Sequence, residues 1–425
     1  MFARADPDLF WHIKEGEKLV MSGRFPVVEE FSFTAAGKSM VAGEWLADLE
    51  IFLIYRTAGY AGLVCFHTVL FVAALIILFV FLRDELPPAL RYFLVAMTAF
   101  AFINFIAVRV HVYTILFVAV YLLWARLWEE GRRWPPWAMA AGLALWVNLH
   151  GGFMVGWVIL GLLCLVRAYE SRRAADLAPW AAGTLACCLH PNGVTGFIYP
   201  VWFMAGAPSS SRSMILELMP IDFGQASASP YILILVMLCW FGLGGIRRRF
   251  PWAVLALVML AISLHNRKML PLLSWTAMAA LGLRLRQAPL MRWQIRMCAV
   301  GTCVLLITMG CLELRWRNRL LMSPAAVMEM DYPRAAAEFF ASRYEGRRLF
   351  HHFNWGGYLI YKLSPKTKVF IDGRLDAYWA LLSGDYAHMM DGRPGWSGLL
   401  DAYGIEAVMV PPWPRPAHLL QADAR

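Results

Sequence analysis

The chain has 425 residues, 60% hydrophobic and only 16% charged, a composition that excludes an ordinary soluble domain and fits an integral membrane protein. The formal charge of +10 does not indicate a nucleic-acid binder, because the arginines sit in short clusters between apolar segments rather than in one basic patch. All eight cysteines fall in apolar segments at irregular spacing, which supports neither a disulfide framework nor a zinc site.

The chain opens on a chemically dense loop. Asp6-Pro7-Asp8-Leu9-Phe10-Trp11-His12 brings together two carboxylates, an imidazole and aromatics, and a hydrophilic run with Lys14, Glu15, Glu17 and Lys18 follows before Glu44-Trp45-Leu46. Apolar segments then occur at 60–82, 89–108, 112–126, 134–149, 153–167, 177–190, 230–246, 251–264, 269–283 and 297–312. They predict about ten spans, several shorter than the roughly 20 residues of a full crossing. Alternate connections carry Arg83 and Arg91; Arg126, Arg132 and Arg133; Arg167, Arg172 and Arg173; Arg247, Arg248 and Arg249; and Arg284, Arg286, Arg292 and Arg296. The positive-inside rule makes these loops cytoplasmic. The intervening connections hold only Arg109, Arg212, Arg267 and Lys268 and face outward, as do the opening loop and the tail by alternation. Nothing apolar precedes Asp6 to carry the loop across, so either a further helix lies upstream of Met1, the favoured expectation, or the following helix pulls the short amino end across.

This topology gathers polar residues at the outer ends of the spans: Asp6, Asp8 and His12; Arg109 and His111; Asn148 and His150; His190 and Asn192; Glu217 and Asp222; His265, Asn266, Arg267 and Lys268. The inner loops are almost purely arginine and glutamate, so the His/Asn mixture points to a site on the outer face. The span interiors hold no Asp, Glu, Lys or Arg near a midplane, with His67 the main ionisable exception. That argues against an ion-coupled transporter or pump, which keeps costly buried charges for function. Asn148-Leu149-His150-Gly151-Gly152-Phe153 and His190-Pro191-Asn192-Gly193 read as tight turns between helices. The stretch from Asn192 to Pro230 is too polar for a clean span and suits an outer loop open to a lipid substrate.

After about residue 313 the composition changes. Pro333 to Arg343 reads as a helix, Arg347 to Phe353 as a strand, Gly357 to Leu363 as an amphipathic helix, and Lys368 to Asp372 and Glu406 to Val410 as strands. The domains are therefore 1–312, a multi-span domain with the first outer loop at 1–59, and 313–425, a small extracytoplasmic α/β domain. Phe353-Asn354-Trp355-Gly356-Gly357-Tyr358 and Phe370-Ile371-Asp372-Gly373-Arg374-Leu375-Asp376 each lie where a strand gives way to a loop, a usual place for ligand groups. Turn glycines with a capping aspartate account for them equally well.

The arrangement resembles the GT-C superfamily of membrane glycosyltransferases. Asp6-Pro7-Asp8 with its aromatics is similar to the first-loop motif of oligosaccharyltransferase catalytic subunits, and Phe353 to Tyr358 is similar to their Trp- and Gly-rich acceptor motif but lacks its aspartate. Asp6 through Trp45, the two turns and Asp372 to Asp376 together resemble uncharacterised bacterial membrane proteins grouped with these enzymes. The resemblance implies a polytopic α-helical membrane protein with a GT-C-like bundle in the bacterial plasma (inner) membrane. It further implies hexosyl or pentosyl transfer from a polyprenyl-phosphate-linked sugar to an acceptor, with site and tail facing the periplasm or exterior.

Such transfer needs a carboxylate to deprotonate the acceptor or to hold a divalent cation, and donors or positive charge for the departing phosphate. Asp6 and Asp8 are the catalytic candidates, and the metal ligands if a cation is used. Arg109, His111, Arg267 and Lys268 are candidates for the phosphate. His12, Asn148, His150, His190 and Asn192 are further substrate-binding candidates, and Asn354, Trp355, Asp372 and Arg374 those of the tail. The alternative function is a non-catalytic lipid-linked sugar flippase or membrane scaffold, which needs no base at the acceptor.

Overall fold

The computed structural model describes the chain apart from residues 1–4, 84–85, 103–104, 106, 132–135, 207, 225–231, 233, 235–249, 286–290, 315–322 and 413–425. Each apolar segment of the sequence falls on a helix except 230–246, most of which, with Arg247 to Arg249, lies outside the described residues. The expected inner-loop residues Arg132, Arg133 and Arg286 also lie outside them.

In chain order the main helices are α1 (Leu9–Ser22), α2 (Trp45–Phe81), α3 (Pro88–Ala101), α4 (His111–Glu129), α5 (Pro136–Trp146), α6 (Phe153–Ser171), α7 (Ala178–Cys187), α8 (Val194–Gly206), α9 (Phe250–His265), α10 (Leu270–Leu285) and α11 (Arg292–Leu314). Among the described residues, α2, α4, α6 and the Arg292–Cys311 part of α11 are long and apolar enough to cross a membrane. A largely helical chain with such helices suits a bilayer, where every backbone amide must be satisfied within its own segment. The chain divides into two compact units.

One unit comprises residues 65–197 and 216–322. In it α11 packs on α3, α5 on α7, α9 on α10 and α4 on α6. Helix α10 is apolar all round and buried along nearly its whole length, with Trp275 and Met278 inside, as expected for a central bundle helix. Helix α11 is the opposite case, leaving Val300, Val304, Leu306 and Ile307 exposed, an apolar surface that lipid accommodates and water does not. Gly156 lets helices close up: a Cβ there would lie 2.3 Å from the Trp146 ring.

The other unit joins residues 3–64 and 198–215 to the chain after Ser323. It contains α12 (Pro324–Glu329), α13 (Arg334–Arg343), β1 (Leu349–His351), α14 (Gly356–Leu363) and β2 (Ala407–Met409). Strand β1 pairs in parallel with β2, Phe350 opposite Val408. Helix α1 packs on α14, where Phe10 meets Tyr332 and Tyr358 edge-on at 4.6 and 5.1 Å. Ala35 from the opening segment shares a buried cluster with Phe350, Phe370, Ile371, Tyr378, Leu382 and Tyr386. The stretch Lys368 to Asp372, expected as a strand, is not one. It forms an isolated parallel bridge, Ser32 with Val369, in which Val369 N–H donates to Phe31 O (2.9 Å) and Phe33 N–H to Val369 O (3.1 Å). The opening segment thus takes its ladder bonds, while the Phe370 N–H donates to His351 Nε2 on β1 at 3.0 Å.

Candidate functional site

The opening loop turns directly into α1. Asp6 is buried, and its Oδ1 accepts the Asp8 N–H at 3.0 Å while its carbonyl accepts that of Leu9 at 3.1 Å, a turn that starts the helix. Asp8 occupies the N-cap position but makes no side-chain cap bond. Its Oδ1 accepts the Trp11 indole N–H at 3.1 Å instead. His12 is buried, its ring lies 3.7 Å from that of Trp11, and its Nδ1 is 2.5 Å from Asp48 Oδ1, with Nε2 3.8 Å from Glu44 Oε2.

The run Lys14 to Lys18, read as a hydrophilic stretch, is helical, and its residues part company. Lys14 and Glu17 pair at the surface at 2.5 Å, whereas Glu15 is buried. It faces Arg374, which is also buried and surrounded by carboxylates. Arg374 Nη1 donates to Glu15 Oε1 (3.0 Å), Nη2 to Glu29 Oε1 (3.0 Å) and Asp372 Oδ2 (2.7 Å), and Nε to Asp372 Oδ1 (2.8 Å). Tyr378 Oη donates to Asp372 Oδ2 at 2.9 Å, and the Ser32 N–H to Glu29 Oε1 at 2.6 Å. The guanidinium fork meets Asp372 bidentately, the strong geometry for such a pair.

One guanidinium cannot fully compensate three buried carboxylates, and their proton affinities diverge accordingly. Burial pushes Asp372 up, but the Arg374 charge and hydrogen bonds, with Tyr378, bring it below the usual range. Glu15 and Glu29 are pushed up to about 7, by burial first and then by neighbouring carboxylates, with Arg374 only partly offsetting this. An acid whose folded pKa is raised contributes stability below its unfolded pKa and loses it as pH rises to the folded value. This unit is therefore expected to lose stability as pH rises from about 4.5 to about 7, where the two glutamates ionise in the unfolded chain but are still largely protonated in the folded one. Thermal unfolding of the purified protein across that range checks it. Glu15→Gln should flatten the dependence, whereas stability rising with pH would contradict the assignment.

Glycines bring the tail motifs against the loop. A Cβ on Gly373 would lie 1.9 Å from Asp8 Oδ1, one on Gly357 2.4 Å from Pro7 O, and one on Gly356 2.1 Å from Ile371 O. These positions require glycine for close approach rather than for backbone conformation. Of the tail candidates, Asp372 and Arg374 belong to the buried network. Asn354 is exposed, and Trp355 lies beside His352 at 5.6 Å between ring centres.

The remaining candidates lie in the helical unit. His150 Nδ1 accepts the Gly152 N–H at 3.0 Å, so at the 2.6 Å contact the Thr114 hydroxyl is the donor; Trp146 Nε1 in turn donates to Thr114 Oγ1 at 3.2 Å. His190 Nδ1 accepts the Asn192 N–H at 3.1 Å in the same local pattern. Asn148 Nδ2 donates to Ala144 O (2.7 Å) and Leu189 O (3.3 Å), tying the two turns together. These four residues thus build the turns in which they sit. Arg109 Nη1 pairs with Glu217 Oε1 at 2.5 Å. Burial raises the Glu217 pKa, but Arg109, Lys268 and His111 outweigh it and bring it down to about 2, so it is ionised at any ordinary pH. With side chains 15% and 35% exposed, the pair is solvent-screened and contributes about 0–1 kcal/mol. Arg267 Nη2 donates to Pro220 O at 3.1 Å, and the Lys268 N–H to Asn266 Oδ1 at 3.1 Å.

Sequence reasoning passed over Glu15, Glu29, Asp48 and Tyr378. A usable signal existed for Glu15: buried Leu9, Phe10, Ile13 and Gly16 define the inner face of α1, and Glu15 borders it at helical spacing. Glu29 and Tyr378 carry no such local mark. Among the described residues no group of three or more His, Cys, Asp or Glu has the geometry to hold a metal ion. In comparisons with known proteins, the sequence matches no family model and no curated protein.

Proposed function

We propose that this chain is a membrane glycosyltransferase of the GT-C type, which moves a sugar from a polyprenyl-phosphate-linked donor to an acceptor hydroxyl on the outer face of the plasma membrane. One observation supports this reading above the others: the part-buried Asp8 carboxylate sits where Asp6-Pro7-Asp8, Gly356-Gly357 and Asp372-Gly373-Arg374 meet, oriented by Trp11. Asp8 takes the proton of the acceptor hydroxyl as its oxygen bonds to the anomeric carbon. The bond from that carbon to the phosphate oxygen breaks, and the polyprenyl phosphate leaves with the electron pair. Asp6 is a positioning residue, since its carboxylate holds the Asp8 amide, and the Arg374 network positions Gly373 beside Asp8.

Mass spectrometry of lipid-linked sugars and envelope glycans, with and without the gene, tests the activity in cells. Loss of the gene should accumulate one polyprenyl-phosphate sugar and remove one glycan product. Unchanged pools of both would overturn the reading.

A further inference from the structure

Helix α8 falls in the stretch that reads in sequence as a polar outer loop, and the proposed sugar transfer makes no use of it. It carries no Asp, Glu, Lys or Arg and has two different sides. On the packed side, the Phe197 ring lies 6.2 Å from that of Phe153 and 5.7 Å from that of Trp157. A Cβ on Gly196 would lie 2.1 Å from His190 Nδ1, so the start of α8 is held closely. On the other side Val194, Ile198, Val201 and Trp202 form an exposed row at helical spacing, with Trp202 63% exposed. Leu185 near the end of α7 and Leu189 just after it are exposed as well and lead along the chain into this row.

We propose that α8 lies in the boundary layer of the bilayer, with Val194, Ile198, Val201 and Trp202 set between the lipid headgroups and the upper part of the acyl chains. Phe153 and Trp157 belong to the first two turns of α6, one of the helices able to cross a membrane, so Phe197 puts the start of α8 level with the end of a span. The 13 residues of α8 extend about 20 Å, too little to cross the ~30 Å hydrocarbon core. The chain beyond it turns polar, with Ser209 and Ser210 exposed. A short apolar-faced helix at the end of a span, with a tryptophan on its exposed row, suits the interface, where an indole keeps its ring in the apolar layer and its N–H in the wet one. A second copy of the chain is a poorer cover, because four side chains fall short of the roughly 800 Å² that each partner buries in a standard protein–protein interface. With no charge of its own, α8 is held by apolar burial rather than by attraction to anionic lipid.

The test uses the full chain in lipid nanodiscs, with a genetically encoded fluorescent residue in place of Trp202 and, for comparison, in place of Ser210. The quenchers are lipids carrying a nitroxide either near the headgroup or near the chain end, and acrylamide in the water. The probe at 202 should be quenched at least about twofold more by the shallow nitroxide than by the deep one, and about twofold less by acrylamide than the probe at 210. Exchanging phosphatidylcholine for phosphatidylglycerol should leave the shallow quenching unchanged. Stronger quenching by the deep nitroxide would place the helix inside the hydrocarbon, and acrylamide quenching equal to that at 210 would place it in water; either overturns the proposal. A photo-crosslinking residue at 202 that captures a second copy or another protein instead of lipid also overturns it. Position 202 is exposed, so both replacements should spare the fold, and unfolding temperatures matched to the parent check this. Because no turnover is read, α8 can prove interfacial while the transferase reading fails, and the reverse.

Discussion

Replacing Arg374 by leucine is expected to disrupt the unit formed by the opening segment and the tail, the largest stability effect in the molecule. The substitution keeps much of the volume but leaves Glu15, Glu29 and Asp372 buried without the cation that holds them. Removing one partner of a buried ion pair costs about 3–5 kcal/mol, and here three carboxylates lose their partner at once. Unfolding temperature and limited proteolysis after residue 323 read the effect. Arg374→Lys should rescue only part of it, because an ammonium cannot reproduce the bidentate contact to Asp372. Replacing Glu15, Glu29 and Arg374 together by apolar residues should be milder than Arg374→Leu alone, since one orphaned carboxylate, Asp372, is left instead of three. A leucine variant as stable as the parent would show that the carboxylates find solvent.

Asp8→Asn is expected to lower sugar transfer on the order of 100- to 10,000-fold with little change in stability. The amide oxygen can still accept the Trp11 N–H, so the local shape survives, but the side chain no longer takes a proton. Asp6→Asn keeps an oxygen for the Asp8 amide and should act mildly, through positioning. Lys14→Ala, which removes only a surface pair with Glu17, serves as a control that leaves turnover unchanged.

The helices of the apolar segments were legible because each is announced locally, by apolar length and by helical period, whereas α1 and α8 fall in stretches read as the opening loop and an outer loop. The helix Pro333 to Arg343, that of Gly357 to Leu363 and the strands around 350 and 408 were legible for the same reason. What local pattern cannot carry is choice of partner. Asp8 and His12 stand one helical turn apart, yet Trp11 at i+3 holds Asp8 and Asp48, 36 residues away, takes His12. Lys368 to Asp372 has strand composition, but the backbone bonds of Val369 go to Phe31 and Phe33. The Arg374 network is the extreme case, joining residues up to 359 positions apart. Asp372 and Arg374 were recognisable as a motif, and only the fold reveals that they neutralise Glu15 and Glu29. Likewise the Gly356-Gly357 pair reads as a turn in sequence, while in the structure it is contact surface for Pro7 and Ile371.

The central claim is that Asp8 activates an acceptor for transfer from a lipid-linked sugar. Its most direct test uses purified protein in detergent, a polyprenyl-phosphate donor carrying a radiolabelled sugar, and the candidate acceptor indicated by the cellular glycan analysis. The parent should move label from the lipid to the acceptor, and Asp8→Asn should do so at least about 100-fold more slowly while unfolding at the same temperature. Full turnover by the Asp6→Asn, Asp8→Asn double variant would contradict the account and leave the opening loop a structural element.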